Sequence, residues 1–516
     1  MTPDTVLATI TIPQTLAALY AQLNTLTPPL AVIVNDCGQA LGVVDATTIA
    51  HAQDLGHIHY TPALHAWPLP GRGTPVLYIY GTWEVVRRAQ HYVVRPAQPQ
   101  PETTVAWQRI AQLLEPPVIP LIQRLCAITQ AHGSTLYLVG GAARSVYDGQ
   151  AIHDLDLALS GNVPAVSSTI ATQLGGTLIS HGAFGTASVD LPPDQTDLGI
   201  QRLDFVPTRS EHYAKAGALP QVVASDITTD TRRRDISVNA IAIELRIDAP
   251  CPVYDPFAGQ RDLARRQLRL LHPLSFCDDP TRIIRVARLM ERLKLRPRHT
   301  LSHSIQATLA HHSLQVVSHQ RWYHEIVKTL HEHDPVPALS RLWRWRVWQA
   351  LHPAFAVHPR HFPHLARVPN AYRLVAWLWQ APTDTLQALG ETWNALPRHI
   401  RTLPALKVAV GALSAQTDLR PSHIMEHLGD YDRAMLHAIG IGDPVVAQLA
   451  NHIDHIMAHT PPLLLNGHDI IAVGVPHGPK IKQILQMLQV ALYDGDCQAQ
   501  SRAEQLAWVY QHLERT

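Results

Sequence analysis

The segment spanning residues 136–159 constrains the fold of this 516-residue chain more than any other segment. It contains an apolar run at residues 136–139, followed by Gly140 and Gly141. A helix-forming segment follows at residues 142–147, and acidic and apolar side chains alternate at residues 154–159. An apolar run that ends at paired glycines is typical of a buried strand followed by a turn. The alternation is typical of a half-buried strand. The segment therefore predicts a strand, a glycine turn, a short helix and a second strand that carries two acids.

The glycine turn and the two acids suit phosphate chemistry. Gly140 and Gly141 allow the backbone to approach a ligand closely, and the helix that follows offers free N–H groups near Arg144. On a strand, Asp154 and Asp156 project from the same face because they are two residues apart. Carboxylate oxygens are ligands that Mg²⁺ prefers. We therefore predict a triphosphate site beside a metal site at Asp154 and Asp156, which suits phosphoryl transfer.

A second charged segment, residues 232–240 (RRRDISVNA), lies downstream of the acids. Arg234 offers a guanidinium for phosphate, and Asp235 and Asn239 offer hydrogen bonds to ribose hydroxyls. Because Asp235 and Asn239 are four residues apart, a helix would place them on one face. The segment predicts contacts with the sugar and phosphates of a nucleotide, with a solvated basic run as the alternative.

A basic helix is predicted after residue 278. Residues 278–280, Asp-Asp-Pro, form a favourable helix start. Asp279 and Arg282 would share a face of this helix, and Arg285 and Arg288 continue the basic stripe at three-residue steps. The stripe predicts a nucleotide-binding face, with an ordinary amphipathic helix as the alternative.

These motifs, in this order, carry a resemblance. Gly-Gly-x-x-Arg followed by Asp-x-Asp resembles the catalytic core of the polymerase-β-like nucleotidyltransferases. Residues 232–240 resemble the RRDxxxNA motif of that superfamily, and residues 278–282 resemble its EDxxR motif, with Asp278 where glutamate is usual. From about residue 120 onward, the chain is similar to the class II tRNA nucleotidyltransferases (CCA-adding enzymes) and the bacterial poly(A) polymerases.

The resemblance implies roles for particular residues. The implied metal ligands are Asp154 and Asp156, with Asp204 as a third catalytic carboxylate. The implied nucleotide-binding residues are Gly140, Gly141, Arg144, Arg234, Asp235, Asn239, Asp279, Arg282, Arg285 and Arg288. Within this set, Asp279 and Arg282 correspond to the pair that selects the base of CTP or ATP.

Two other segments match the family less closely. Residues 215–222, which contain Gly and Pro and lack periodicity, are predicted to form a mobile loop, and in the family such a loop helps to switch from C to A addition. Arg321 and Glu325 fall in a segment that resembles SxxRxxxE, and their spacing favours an ion pair within one helix.

The fold prediction is an α/β nucleotidyltransferase head, a mixed sheet with flanking helices, followed by an all-α neck, body and tail. A small N-terminal α/β domain comes first. The predicted boundaries are residues 1–105, 106–270 for the head, 271–345 for the neck, 346–450 for the body and 451–516 for an RNA-binding tail. The first domain contains a strand, a turn and a strand that resemble half of a CBS module, so an adenine nucleotide is a candidate ligand there. An unrelated α/β domain is the alternative.

Composition limits the remaining functional classes. The formal net charge is +1, so a nucleic-acid surface must be a local patch. The five cysteines form neither a zinc motif nor a disulfide framework, which fits a cytoplasmic protein. No apolar run reaches the length that spans a membrane, so no membrane partner is predicted. The many histidines form no set typical of a phosphohydrolase.

The predicted activity is Mg²⁺-dependent, untemplated addition of CMP and AMP, from CTP and ATP, to the 3′ end of tRNA, with release of pyrophosphate. A poly(A) polymerase, a CC-only enzyme and an A-only enzyme share the same motifs and stay as alternatives. A non-catalytic RNA- or nucleotide-binding protein is a more distant alternative, because Asp154 and Asp156 are both present.

Overall fold

The structure is a computed structural model of the chain. It describes residues 5–11, 15–27, 29–37, 39–55, 57, 66–68, 78–80, 83–88, 91–96, 103–181, 185–192, 200–213, 215–297, 299–310, 313–394 and 396–513. The chain forms two compact units, residues 1–322 and 323–516. Each unit is considered by itself below.

The first unit contains all of the described strands and the first twelve helices. The strands are β1 (Thr5–Val6), β2 (Ala8–Thr11), β3 (Leu30–Val34), β4 (Ala40–Asp45), β5 (Trp67–Pro68), β6 (Tyr78–Tyr80), β7 (Trp83–Arg88), β8 (His91–Pro96), β9 (Thr104–Val105), β10 (Leu136–Val139), β11 (Leu157–Leu159), β12 (Thr177–His181), β13 (Thr186–Asp190), β14 (Arg202–Pro207), β15 (Arg209–His212), β16 (Gln221–Ala224), β17 (Ala242–Glu244), β18 (Cys251–Tyr254), β19 (Gln267–Leu268) and β20 (Arg296–Pro297). The helices are α1 (Leu16–Leu23), α2 (Ala46–Asp54), α3 (Trp107–Ala111), α4 (Val118–Ala131), α5 (Gly140–Asp148), α6 (Val163–Leu174), α7 (Ile227–Arg232), α8 (Gly259–Ala264), α9 (Ser275–Asp278), α10 (Arg282–Arg292), α11 (His299–Ala310) and α12 (His319–Leu330), the last of which crosses into the second unit. Short 3₁₀ turns lie at Ser237–Asn239 and Ser313–Val316.

The N-terminal segment is α/β, as predicted. Strands β2, β3, β4 and β5 form one sheet in that order, and β2 and β3 run parallel. Helix α1 connects this parallel pair. Helix α2 follows β4, and the side chain of Asp45 caps the first turn of α2 by accepting from Thr48 N at 2.8 Å. The core beneath α1 and α2 also includes Tyr213, Leu274 and Cys277, so the N-terminal segment packs against residues far along the chain. Its resemblance to a CBS module stays a prediction.

The head is built on an eight-stranded mixed sheet, which confirms the predicted fold class. Its strand order is β12-β13-β14-β11-β10-β17-β18-β9. The pair β11–β14 is parallel, and the other pairs are antiparallel. Strand β10 lies near the centre with all four side chains buried, which is why its sequence is continuously apolar. Helices α4, α5 and α6 contribute to the core beside it.

The predicted strand at residues 154–159 is shorter than expected. Regular strand begins at Leu157, so Asp154 and Asp156 lie in the segment that leads into β11. Backbone pairing nevertheless starts one residue earlier, because Val139 N donates to the carbonyl of Asp156 at 3.0 Å. Both acids are exposed, whereas the three strand residues are buried.

The second unit is helical, as predicted for the body and tail. Its helices are α13 (Val336–Arg344), α14 (Val347–Leu351), α15 (Arg373–Leu378), α16 (Thr383–Thr392), α17 (Arg398–Arg401), α18 (Leu403–Ser414), α19 (Pro421–Leu428), α20 (Arg433–Gly440), α21 (Pro444–His459), α22 (Gly467–Ala472), α23 (Pro479–Asp494) and α24 (Arg502–Leu513). Four 3₁₀ turns join the early helices, at Pro353–Phe355, Pro359–His361, Leu365–Arg367 and Asn370–Tyr372. Edge-to-face and tilted aromatic rings of Trp348, Phe355, Trp377 and Trp393 fill the core there.

Across the parts of the chain that the structure describes, no helix has both the length and the apolar character that crossing a membrane requires.

Candidate nucleotide-binding and catalytic site

The glycine turn after β10 brings the backbone against one of the two predicted metal ligands. Gly140 has φ +58°, a conformation that favours glycine, and α5 begins at this residue. Gly141 N donates to Asp156 Oδ2 at 2.9 Å. A Cβ at Gly140 would lie 3.2 Å from Asp156 Oδ2 and 3.3 Å from Arg234 Nη1. The turn therefore places an acid, a guanidinium and the glycine backbone within one small volume.

Asp204 lies on the strand next to the Asp156 segment. The parallel register pairs Leu157 of β11 with Phe205 of β14, which sets Asp156 and Asp204 side by side one residue earlier. Both are exposed while Leu157 and Phe205 are buried, so the two acids share the solvent-facing side of the sheet. Ser188 Oγ donates to Asp204 Oδ1 at 2.5 Å and holds that carboxylate in place.

The three acids Asp154, Asp156 and Asp204 do not converge as tightly as a filled metal centre. Among the described residues, no three-ligand group that contains them has all its ligand atoms within 4.8 Å. Three carboxylates repel one another, and two of these are held by Gly141 N and Ser188 Oγ respectively. The arrangement offers hard oxygen donors that suit Mg²⁺ at the edge of the glycine turn.

Arg144 begins a polar chain that connects α5 to the RRRD segment. It is buried and donates through Nη1 to Asn239 Oδ1. Asn239 Nδ2 in turn donates to Asp235 Oδ1 at 3.2 Å, and Asp235 Oδ2 lies 3.7 Å from Arg285 Nη1. Burial lowers the pKa of Arg144, aided by the charge of Arg292. Arg144, Asn239 and Asp235 are thus joined by hydrogen bonds, and an ion pair adds Arg285 to the group.

Asp235 and Asn239 lie together, but the prediction that a helix would place them on one face is wrong. Asp235 lies outside regular helix, and Asn239 ends the short 3₁₀ turn Ser237–Asn239. They meet because Asp235 Oδ1 accepts from Ile236 N at 2.9 Å as well as from Asn239 Nδ2. The contact comes from a tight polar turn, since aspartate readily bonds nearby backbone N–H groups.

Sequence analysis missed Asp230, which organises the arginines of the RRRD segment. Asp230 is fully buried, and its carboxylate lies 2.7 Å from Arg233 Nη2 and 2.8 Å from Arg234 Nη2. Burial opposes its ionisation, but the charges of Arg234 and Arg233 outweigh burial and lower the pKa of Asp230. Its three- and four-residue spacing from the two arginines was a signal that could have identified it.

Glu211 supports the same arginines from strand β15. Glu211 Oε1 accepts from Arg209 at 2.8 Å and from Arg233 at 2.9 Å, and Tyr213 donates to Oε2 at 2.7 Å. Burial raises the pKa of Glu211, but Arg233, Tyr213 and Arg209 outweigh it and leave a net lowering. Glu211 and Asp230 therefore hold the guanidiniums of Arg233 and Arg234 in place.

Replacing Asp230 with asparagine should destabilise the head strongly. The change keeps the shape of the side chain but removes the counter-charge that Asp230 gives to Arg234, and it leaves Arg233 paired with Glu211 alone. Breaking such a pair costs about 3–5 kcal/mol. The midpoint of urea-induced unfolding should fall, whereas Asp190→Asn, which affects an exposed pair with Arg202 on the same sheet, should leave it almost unchanged. Equal midpoints for Asp230→Asn and the wild type would contradict this role.

The predicted base-selecting pair lies where two helices meet. The predicted helix start at residues 278–280 is wrong, because α9 ends at Asp278, Asp279 is extended with φ −140°, and α10 begins only at Arg282. Asp279 and Arg282 therefore do not share a helix. Asp279 instead accepts from Thr281 N at 3.0 Å and from Thr281 Oγ1 at 2.6 Å, immediately before α10.

Arg321 contacts Asp279, a partner that sequence spacing did not predict. Arg321 Nη2 lies 2.8 Å from Asp279 Oδ1, and Nη1 donates to the carbonyl of Gly217 at 2.8 Å. Burial disfavours the ionised form of Asp279, but Arg282, the Thr281 hydroxyl and Arg321 outweigh burial and lower its pKa. These contacts use Oδ1, which leaves Oδ2 to accept a hydrogen bond from a ligand.

Arg282 is almost enclosed by protein. Its Nη1 donates to Ser275 Oγ at 2.9 Å and to the Ser275 carbonyl at 3.3 Å, and Nη2 donates to the carbonyl of Arg233 at 2.9 Å. A guanidinium has five N–H donors, so part of its donor set stays available to a base. Arg282 also connects α10 to the RRRD segment. Arg288 lies two turns further into α10 and is partly buried.

The loop that was predicted at residues 215–222 ends earlier, because β16 begins at Gln221. Gly217, with φ +69°, donates from its N–H to the carbonyl of Cys277 at 2.9 Å and accepts from Arg321. One hydrogen bond thereby joins the loop to α9, and the other joins it to Arg321, which also contacts Asp279.

Comparisons with known proteins identify relatives of this chain. A family model described as "Poly A polymerase head domain" matches residues 136–269. The A-adding tRNA nucleotidyltransferase of Halalkalibacterium halodurans is 31% identical over 402 residues, which cover 75% of this chain and 92% of that protein. The CCA-adding enzyme of Lactobacillus johnsonii is 24% identical over 387 residues, which cover 70% and 90%. A solved structure of a CCA-adding enzyme in an apo form shares the fold, with a TM-score of 0.63, 23% identity and coverage of 80% of this chain and 99% of that one.

Proposed function

This chain belongs to the tRNA nucleotidyltransferases, and we propose that it adds CMP and AMP from CTP and ATP to the 3′ end of tRNA. Pyrophosphate leaves at each step, and no nucleic-acid template is used. The observation that carries the proposal is the convergence of Gly140, Asp156 and Arg234, which unites a backbone turn, a metal-binding acid and a phosphate-binding cation.

Different residues of the site have different roles in this reaction. The backbone of Gly140 and Gly141 and the guanidinium of Arg234 hold the triphosphate. Asp235 and Asn239 orient the sugar, since each offers oxygen to a ribose hydroxyl. Arg144 and Asp230 are positioning residues that hold this group rigid, and such pre-organisation reduces the cost of aligning two substrates.

Mg²⁺ is the proposed cofactor, held by Asp154 and Asp156 with Asp204 beside them. The exposed carboxylates fit it because Mg²⁺ prefers oxygen ligands and keeps several waters. When bound there, the ion neutralises charge on the transferring phosphate and the leaving pyrophosphate.

Addition of AMP alone is the second candidate function, favoured by the similarity to an A-adding relative. Complete CCA addition includes incorporation of CMP and A-only addition does not, so the CMP step distinguishes these two candidate functions. Purified protein is incubated with Mg²⁺ and one of two substrates, either tRNA that lacks CCA or tRNA that ends in CC. Each substrate is supplied with CTP, with ATP or with both, and the 3′ ends are then sequenced. CCA ends on the first tRNA support the complete reaction. Extension of only the CC-ending tRNA assigns A-only addition, and a long run of A assigns a poly(A) polymerase.

Shortening the 215–220 loop tests its proposed part in the change from C to A addition. Deletion of Ala218 and Leu219 keeps Gly217 and both of its hydrogen bonds, but it reduces the reach of the loop. AMP incorporation into CC-ending tRNA should fall by at least about tenfold, since misplacement by 1 Å costs up to a hundredfold. CMP incorporation should be spared.

The control for the loop deletion is Leu219→Ser, because this side chain is 64% exposed and its loss leaves the loop length unchanged. Equal loss of the CMP and AMP steps in the deletion variant, with CTP binding intact, would argue against a switching loop.

Three segments of the chain have separate roles in the proposed reaction. We assign residues 106–270 to catalysis, 271–345 to base selection and 451–516 to tRNA binding. In the last segment, Lys480 and Lys482 lie on α23, which starts after Gly478, and lysines at such a helix start suit RNA phosphate.

A further inference from the structure

Two histidines and an aspartate from distant parts of the chain meet outside the catalytic site. His51 lies on α2 of the N-terminal segment, His272 lies in the turn after β19, and Asp278 ends α9. His51 Nε2 is 2.7 Å from Asp278 Oδ1, and His272 Nε2 is 3.5 Å from Asp278 Oδ2. The two imidazole rings stand perpendicular, with centroids 5.6 Å apart. All three ligand atoms lie within 4.8 Å of one another.

We propose that His51, His272 and Asp278 bind one divalent transition-metal ion of the zinc class. Two imidazoles with one carboxylate are a common ligand set for such ions, and a water completes the fourth position. The site joins the N-terminal segment to the residue that precedes Asp279. It is separate from Asp154 and Asp156, and it does not depend on the proposed tRNA chemistry.

The distances allow an ion with small side-chain movements. Ligand atoms about 2.1 Å from a tetrahedral ion stand about 3.4 Å apart. The contact between His272 and Asp278 already has this spacing. The contact between His51 and Asp278 is shorter by less than 1 Å, because these two groups are hydrogen-bonded to each other. Both histidines present Nε2, and the two oxygens of Asp278 face different imidazoles.

The surroundings favour metal ligands over ordinary surface histidines. Asp278 has only 4% of its side chain exposed, and the side chains of His51 and His272 are 25% and 22% exposed. Buried Leu274 and Cys277 pack in the same core as α2, which limits access of water.

Metal content of the full-length protein tests the site directly. The protein is equilibrated with Zn²⁺ or Co²⁺ in excess Mg²⁺, so that the oxygen ligands Asp154 and Asp156 are occupied by Mg²⁺, and is then freed of unbound ions. We expect one Zn²⁺ or Co²⁺ per chain, with the visible absorption of Co²⁺ bound to nitrogen ligands. His51→Gln and His272→Gln should each weaken binding by more than about tenfold.

The control is His132→Gln, an exposed histidine at the end of α4, which should retain the full metal content. Added Zn²⁺ should also raise the melting temperature of the wild type but not that of His51→Gln, since only a protein that binds the ion gains from it. Wild-type protein without stoichiometric ion would overturn the proposal and leave a hydrogen-bonded contact. Unchanged metal content in both folded variants would overturn it as well.

Discussion

Alanine at Asp154 or Asp156 is expected to lower nucleotide transfer to tRNA by at least about a thousandfold, because stabilisation of the charged transition state is usually the largest single contribution to catalysis. Both side chains are exposed, so their removal leaves the core of the sheet intact. Asp156→Ala also removes the acceptor for Gly141 N, which loosens the glycine turn. Initial rates with saturating ATP and CC-ending tRNA measure the effect.

The matched control for these two variants is Asp190→Ala, which removes an exposed acid from β13 of the same sheet. Its rate should stay within about twofold of the wild type, since exposed pairs contribute little. Near-normal turnover in a folded Asp154→Ala or Asp156→Ala protein would refute the metal assignment.

The glycine turn was predictable because its causes are local. An apolar run of four residues fills a central strand, and paired glycines permit φ +58° at Gly140, so the positions of β10 and α5 follow from neighbouring residues alone. The Asp-x-Asp spacing likewise marks the approach to a strand, and both acids lie in the segment that leads into β11. The ends of the elements were less predictable: β11 begins three residues later than expected and α5 begins two residues earlier, since element ends depend on packing and pairing with other elements.

The partners of the buried charges were not predictable. Asp278 was expected to open a helix, yet it contacts His51, which is 227 residues away in the sequence. Arg321 was expected to pair within its helix, and it contacts Asp279 on another element. Such contacts depend on which elements pack together, which helical periodicity does not determine. Asp230 is the exception, since both of its arginine partners lie within one helical turn.

Loss of base choice is the second large effect expected. Asp279 Oδ2 can accept from the exocyclic amine of cytosine or adenine, and Arg282 can donate to a ring acceptor beside that amine. Uracil and guanine do not present this pair. Each mismatched hydrogen bond costs about 1–3 kcal/mol, so the two together should favour CTP over UTP by at least roughly tenfold to a hundredfold.

Asp279→Ala and Arg282→Ala should therefore reduce selectivity more than they weaken tRNA binding. Values of kcat/KM for the four nucleoside triphosphates, beside a tRNA dissociation constant, measure both properties. Arg282 also donates to Ser275 and to the Arg233 carbonyl, so Arg282→Ala removes contacts within the protein as well. Asp279→Asn is the gentler variant, since it replaces the carboxylate with an amide of the same shape. Preserved selectivity with reduced tRNA affinity would show that this segment binds RNA and does not select the base.

The most direct test of the central claim is the transfer of labelled AMP from ATP to tRNA that ends in CC, by the purified protein with Mg²⁺. This step belongs to complete CCA addition and to A-only addition alike. We predict that one AMP is added to each tRNA, that addition then stops, and that Asp156→Ala abolishes it. No extension of the tRNA by the wild-type protein, or extension that Asp156→Ala leaves unchanged, would contradict the account.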